Sequence, residues 1–193
     1  MRTQLTREDA RTPTREGPAS APTGTERSRP RLSPTPGEDL VRFALPKGRM
    51  YDGVVRLLTD AGMPVSASAR GYRPALGVPG FAAKVLKPRA IIEMLDAGTR
   101  DLGFAGADWV AEAGADLVEL VDTGLDAVRL VAAAPEAVLD DAGRLPDRPI
   151  VIASEYVGLA GRWAGERGID ADVLRSYGAT EVLPPDDADC IVD

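Results

Sequence analysis

Histidine is absent from all 193 residues. Without an imidazole there is no Ser-His or Cys-His couple and no histidine-bound metal. Any chemistry falls to carboxylates, Lys, Arg, backbone dipoles or a borrowed ion. Cysteine is nearly absent too: Cys190 stands alone, which excludes an internal disulfide and fits a reducing cytoplasm. It sits in an apolar strand pattern, where a thiol packs as a small hydrophobe. No apolar run approaches the roughly 18 residues a helix needs to cross a bilayer. Positive charge is scarce, with 23 Lys and Arg against 30 Asp and Glu, a net −7. A broad nucleic-acid interface wants the opposite sign. A small phosphorylated ligand needs only a local cluster of cations.

What remains is ordinary for a soluble globular chain, 44% hydrophobic and 27% charged, and long enough for one or two small domains. Residues 1–38 stand apart, with six prolines, seven threonines, seven arginines and five acids. With almost no large apolar side chain, this stretch has too little to bury to offset its ordering entropy, and a disordered tail is expected. It lacks the apolar core of a secretory signal.

From Asp39 the pattern alternates strand and helix. Val41–Leu45, Phe81–Leu86, Asp101–Ala105, Leu117–Val121, Val128–Ala133, Ile150–Ala153, Val173–Leu174 and Ile191–Val192 read as strands. Asp52–Ala61, Pro88–Ala97, Ala107–Ala113 and Glu155–Arg167 read as helices, each closed by a glycine just beyond. Strands separated by helices of about ten residues predict an α/β fold with parallel sheets flanked by helices. No internal repeat is visible.

Four stretches suggest chemistry, each with a plainer alternative. Pro46-Lys47-Gly48-Arg49 fills a strand-to-helix turn, where α/β proteins place ligands. Gly48 would admit an anion to the backbone and Lys47 and Arg49 would supply charge; otherwise it is a solvated basic turn. Arg70-Gly-Tyr72-Arg73-Pro74 offers a ring for a base and a guanidinium for a phosphate, or simply solubility. Asp101-Leu-Gly-Phe-Ala-Gly-Ala-Asp108 ends on a carboxylate that either caps a helix or meets a ribose or an adenine amine. In Asp187-Ala188-Asp189-Cys190-Ile191-Val192-Asp193, Asp189 and Asp193 bracket a short apolar strand. That suits ribose hydroxyls, or a magnesium ion riding on pyrophosphate.

Taken in order, these stretches resemble the catalytic subunit of ATP phosphoribosyltransferase. Lys87-Pro-Arg-Ala-Ile91, Gly114–Gly124 and Val128–Ala133 extend the likeness, which covers residues 40–193. The resemblance implies a two-lobed α/β fold like a type II periplasmic binding protein, with parallel and mixed sheets and a site between the lobes. The first lobe would span 39–127 without its return strands, and the second 128–193. It implies the first step of histidine biosynthesis, joining ATP to phosphoribosyl pyrophosphate with release of magnesium pyrophosphate. It also implies a homo-oligomer, with or without a regulatory subunit. By position, Lys47, Gly48, Arg49 and Arg73 would hold phosphates, Asp108 would face the nucleotide, and Asp189 and Asp193 would open the phosphoribosyl pyrophosphate motif, Mg2+ being the expected ion.

The sequence departs from the family where Lys87-Pro-Arg89-Ala90 stands for the usual Arg-Pro-x-Asp, and Tyr156-Val-Gly-Leu159 for Tyr-Pro-Asn-Leu. The Thr-Gly-x-Thr phosphate loop that follows Asp193 in the family is not in these 193 residues, so low activity is expected of them alone. A small-ligand binding protein or a non-catalytic regulatory homologue on the same fold are the alternatives.

Overall fold

A computed structural model of the chain describes residues 40–66 and 71–193. The expected tail, and Arg70 of the arginine-tyrosine motif, lie outside the described residues. The remainder divides into two compact units between Val128 and Arg129. The α/β class, with one parallel and one mixed sheet among its layers, is as expected.

The first unit begins with β1 (Val41–Pro46), then α1 (Met50–Asp60), β2 (Val65–Ser66), β3 (Ala75–Leu76) and β4 (Phe81–Leu86). It closes with α2 (Pro88–Asp96), β5 (Leu102–Gly103) and α3 (Ala107–Ala113). β1 lies between β4 and β5, parallel to both. A central parallel strand is covered on both faces, which is why Phe43, Ala44 and Leu45 form an unbroken apolar run, all buried. Val54 and Leu58, one turn apart on α1, pack against Phe43, Leu45 and Val85. α2 starts on Pro88 and buries Ile91 and Ile92. Its closeness to the sheet depends on Gly103: a Cβ there would stand 3.0 Å from Ile91 and 3.1 Å from the Cβ of Ala44.

The second unit contains β6 (Ala132–Ala133), β7 (Ile150–Ser154), α4 (Val157–Glu166), β8 (Ala171–Arg175) and β9 (Cys190–Val192). Their order is β6-β9-β7-β8, with β6 antiparallel at the edge and the others parallel. Ile150, Ile152, Ala160, Trp163, Cys190 and Val192 make its core. Burial, and secondarily the charge of Asp189, pushes the Cys190 thiol up to about 11. It packs and does not react.

Two features escape the pattern reading. Val65–Ser66 and Ala75–Leu76 form a short antiparallel pair, too brief to show an alternation. Conversely, Leu117–Val121 carries a strand pattern but joins no ladder among the described residues, and only Val131–Ala133 of Val128–Ala133 pairs. Val118, Leu120 and Val121 are 85%, 73% and 68% exposed. Strand propensity expresses fit to a neighbouring strand, and here none lies alongside.

Candidate functional site at the carboxyl ends of the strands

In the first unit the side chains of interest gather where β1, β4 and β5 end. The Lys47 N–H donates to the Leu86 carbonyl at 2.7 Å, so β1 stays tied to β4 as it leaves the sheet. Gly48 then turns the chain with φ +101, a conformation side chains resist, and a Cβ there would meet nothing within 4 Å. Its carbonyl accepts the Tyr51 N–H at 3.0 Å, which starts α1 two residues earlier than the apolar spacing predicts.

Beside this turn lies a hollow of about 420 Å³, lined by Lys47, Gly48, Tyr51 and Asp52 from the turn and α1, and by Tyr72 and Pro74 opposite. Tyr72 is anchored through its carbonyl, which accepts the Val85 N–H at 3.0 Å. The residue is 57% exposed, and the Lys47 ammonium lies 5.6 Å from its ring centre. Tyr51 and Asp52 were not singled out from the sequence. Their signal was available: both fall in the first turn of α1, three to five residues beyond the Lys47-Gly48 turn.

Arg73 is exposed next to Tyr72. The Arg49 side chain is 75% exposed and meets Asp126 at 3.5 Å, a loose surface pair worth well under about 1 kcal/mol. Asp108 lies in the first turn of α3, which follows β5. Its carboxylate folds back over Gly106, where any side chain would collide with it. Lys47, Gly48, Arg49 and Asp108 thus all follow the carboxyl ends of parallel strands, the edge where open α/β sheets bind ligands.

In the second unit, Asp193 sits just beyond β9. Its backbone exchanges two hydrogen bonds with Val131, at 2.9 and 3.1 Å, and its Oδ1 accepts the Glu155 N–H at 3.2 Å. Arg175 Nη1 donates to the Glu155 carbonyl at 3.2 Å. Buried Ser154 adds a brace: its hydroxyl donates to the Val192 carbonyl and accepts the Tyr156 N–H at 2.8 Å. Asp193 is therefore held from both neighbours of β9. The roles of Ser154, Glu155 and Arg175 depend on contacts 20 to 38 residues apart, which local motifs do not reveal.

Asp189 lies apart from Asp193. It stands at the other end of β9, four residues and roughly 13 Å of extended chain from Asp193. Arg148 donates to it from Nη2 at 2.6 Å and Nη1 at 3.4 Å, and the Val151 N–H at 2.8 Å. The Arg148 guanidinium first, then that N–H, holds its carboxyl below the usual carboxylate range. Its hydrogen-bonding capacity is committed to the fold, and it does not pair with Asp193.

A family model described as HisG, ATP phosphoribosyltransferase, matches residues 87–193. The chain belongs to the ATP phosphoribosyltransferase family. A relative of that name from Moorella thermoacetica is 34% identical over 163 residues, covering 80% of this chain and 72% of the relative. Another from Chlorobium phaeobacteroides is 32% identical over 166 residues, covering 81% and 54%. The chain spans about half the length of several curated relatives it matches. Among solved structures, the ATP phosphoribosyl transferase (HisG:HisZ) complex from Thermotoga maritima aligns with a TM-score of 0.67 at 22% identity, over 80% of this chain and 73% of that one. At that identity the likeness concerns the fold.

Among the described residues no three Asp, Glu or Cys side chains converge to hold a metal ion, and no helix is long and apolar enough to cross a membrane.

Proposed function

We propose that this chain serves an ATP phosphoribosyltransferase, joining ATP and phosphoribosyl pyrophosphate to give phosphoribosyl-ATP and pyrophosphate at the entry to histidine biosynthesis. The carrying observation is a basic, glycine-centred turn beside a hollow at the carboxyl edge of a parallel sheet, in a member of that family. In the reaction a ring nitrogen of adenine bonds to the anomeric carbon, while the bond from that carbon to pyrophosphate breaks and its electron pair leaves with pyrophosphate. Such a step needs alignment and charge stabilisation more than proton transfer, which suits a chain without histidine.

In this reading Lys47, the Gly48 backbone, Arg49 and Arg73 hold phosphate oxygens, and Asp108 faces the nucleotide. Asp193, braced by Glu155, accepts from ribose hydroxyls. Asp189 has no ligand role. Magnesium enters with the pyrophosphate substrate, as an ion commonly held by substrate phosphates with one or two carboxylates. A cytoplasmic protein, a homo-oligomer and a regulatory subunit complete the proposal; the Thermotoga maritima protein is itself a HisG:HisZ complex.

Isothermal titration with ATP and with magnesium phosphoribosyl pyrophosphate, followed by an assay of pyrophosphate release, tests it. Binding of both is expected, with Lys47→Ala and Arg73→Ala weakening it. A chain that binds neither would overturn the reading.

A further inference from the structure

The 122–126 turn is fastened to α1. Asp122 Oδ1 accepts the Gly124 N–H at 2.9 Å, and Thr123 Oγ1 accepts the Leu125 N–H at 3.4 Å. The Leu125 side chain lies against Gly53, where an added Cβ would stand 3.3 Å from it. Asp126 follows with φ +50, a left-handed backbone that Asp and Asn tolerate better than most residues. Its carboxylate is thereby presented from a fixed turn, with its side chain only 29% exposed. Among the described residues that carboxylate has one partner, Arg49 Nε at 3.5 Å.

Arg49 is the movable half of the pair. It stands at the N-cap of α1 directly after Gly48, with its side chain largely in solvent. None of its side-chain N–H groups makes a hydrogen bond among the described residues. A mostly covered carboxylate facing an unbonded guanidinium gains little stability from the contact. What the contact does is set a fixed negative charge against the cation at the end of the basic turn. A phosphate that draws Arg49 to itself must break this pair and then sit near the carboxylate left behind.

We infer that Asp126 is a displaceable counter-ion for Arg49: it holds the guanidinium while the turn is empty and opposes any phosphate that replaces it. Polyphosphate ligands are then bound less tightly and leave more readily. The inference rests on the reading that the Lys47–Arg49 turn receives phosphate groups, and adds a residue that limits their affinity. Asp126 is a positioning residue, touching no substrate and acting through Arg49.

The test titrates the 193-residue chain and its variants with tripolyphosphate, without magnesium. Asp126→Asn keeps a residue suited to the left-handed turn and removes only the charge, and Asp126→Gly removes it on the residue that this backbone prefers. Each should raise tripolyphosphate affinity about threefold to fivefold at low salt, by a factor that shrinks as ionic strength rises. In an Arg49→Gln chain, where nothing draws the ligand toward Asp126, the same substitutions should gain much less. Glu119→Gln, an equal loss of charge on the exposed 117–121 stretch, should change affinity little. Unchanged or weaker binding by both Asp126 variants, an equal gain from Glu119→Gln, or an undiminished gain without Arg49 would each overturn the inference and leave the parent reading standing. A parent chain that binds neither tripolyphosphate nor ATP sinks both.

Discussion

Replacing Asp189 with Ala should cost stability and leave substrate binding intact. Its carboxylate accepts two guanidinium N–H groups of Arg148 and the backbone N–H of Val151. The Arg148 side chain is 55% exposed, so solvent screens the ion pair to roughly 0.5–1 kcal/mol. Leaving the part-buried Val151 N–H without its acceptor adds about 1 kcal/mol. The total, about 2 kcal/mol, corresponds to a fall in melting temperature of roughly 4–8 °C for a chain of this size. The pH dependence follows from the direction of the shift. Arg148 and Val151 depress the folded-state pKa of Asp189, so its ionic contribution is complete above the unfolded value of about 3.9 and is lost as pH falls through the lower folded value. Calorimetry from pH 7 to pH 3 should show a constant gap between parent and variant down to about pH 4.5, narrowing below it. An Asp189→Ala chain that melts like the parent but no longer binds phosphoribosyl pyrophosphate would refute the structural role and return this residue to the site.

Gly48→Ala meets no steric obstacle but must adopt φ near +101, so it should cost about 1–2 kcal/mol and weaken ATP at least severalfold by displacing the Lys47 and Arg49 side chains, as read by melting and titration. Ser154→Ala leaves the Val192 carbonyl and the Tyr156 N–H without their shared partner, a loss of about 1–3 kcal/mol. Phosphoribosyl pyrophosphate affinity should fall more than ATP affinity, with Ser154→Thr recovering it; equal losses would argue against a brace on Asp193. Leu120→Lys places a charge in the exposed apolar stretch of 117–121 and should reduce self-association in sedimentation runs. No change would mean that this stretch does not mediate contacts between copies.

The legible parts of the chain are those whose physics is local. β4 runs over Phe81–Leu86 and α3 over Ala107–Ala113 as the pattern predicts, because a largely apolar parallel strand and a short helix closed by Gly114 advertise themselves within a few residues. The Lys47-Gly48-Arg49 turn is equally visible, since φ near +101 at its centre calls for glycine. Partnership across the chain is not visible. The strand-like Leu117–Val121 could not be recognised as unpaired, because pairing depends on residues far away in sequence. The hollow was only half legible: Tyr72 was evident as a ring beside cations, but its proximity to Tyr51 and Asp52 depends on how the 71–76 segment crosses β4.

Asp189 shows why a motif alone misassigns a carboxylate. Each unit sets one parallel strand between two that come later in sequence, β4-β1-β5 and β8-β7-β9, the second sheet carrying β6 in addition beyond β9. In each, the third strand is preceded by an aspartate that binds an arginine at the start of the central strand. Asp101 takes Arg42 at 2.6 and 2.9 Å, and Asp189 takes Arg148. Both aspartates also donate their N–H to the central strand, to Arg42 and Val151. Arg42, like Arg148, depresses its aspartate's pKa mainly through the side-chain hydrogen bond. Asp189 is thus the counterpart of Asp101, which no motif reading assigns to a ligand. The clamps fasten the amino ends of the strands and leave the carboxyl ends to carry Lys47, Gly48, Asp108 and Asp193. The arginines lie 59 and 41 residues from their aspartates, and the intervening sequences are unlike, so the repeat exists in the backbone and its charges without being written as a repeat of letters. Exchanging Arg42 and Asp101 as a pair should therefore preserve ligand binding, whereas moving the carboxylate of Asp193 by one methylene, as Glu, should weaken it at unchanged melting temperature.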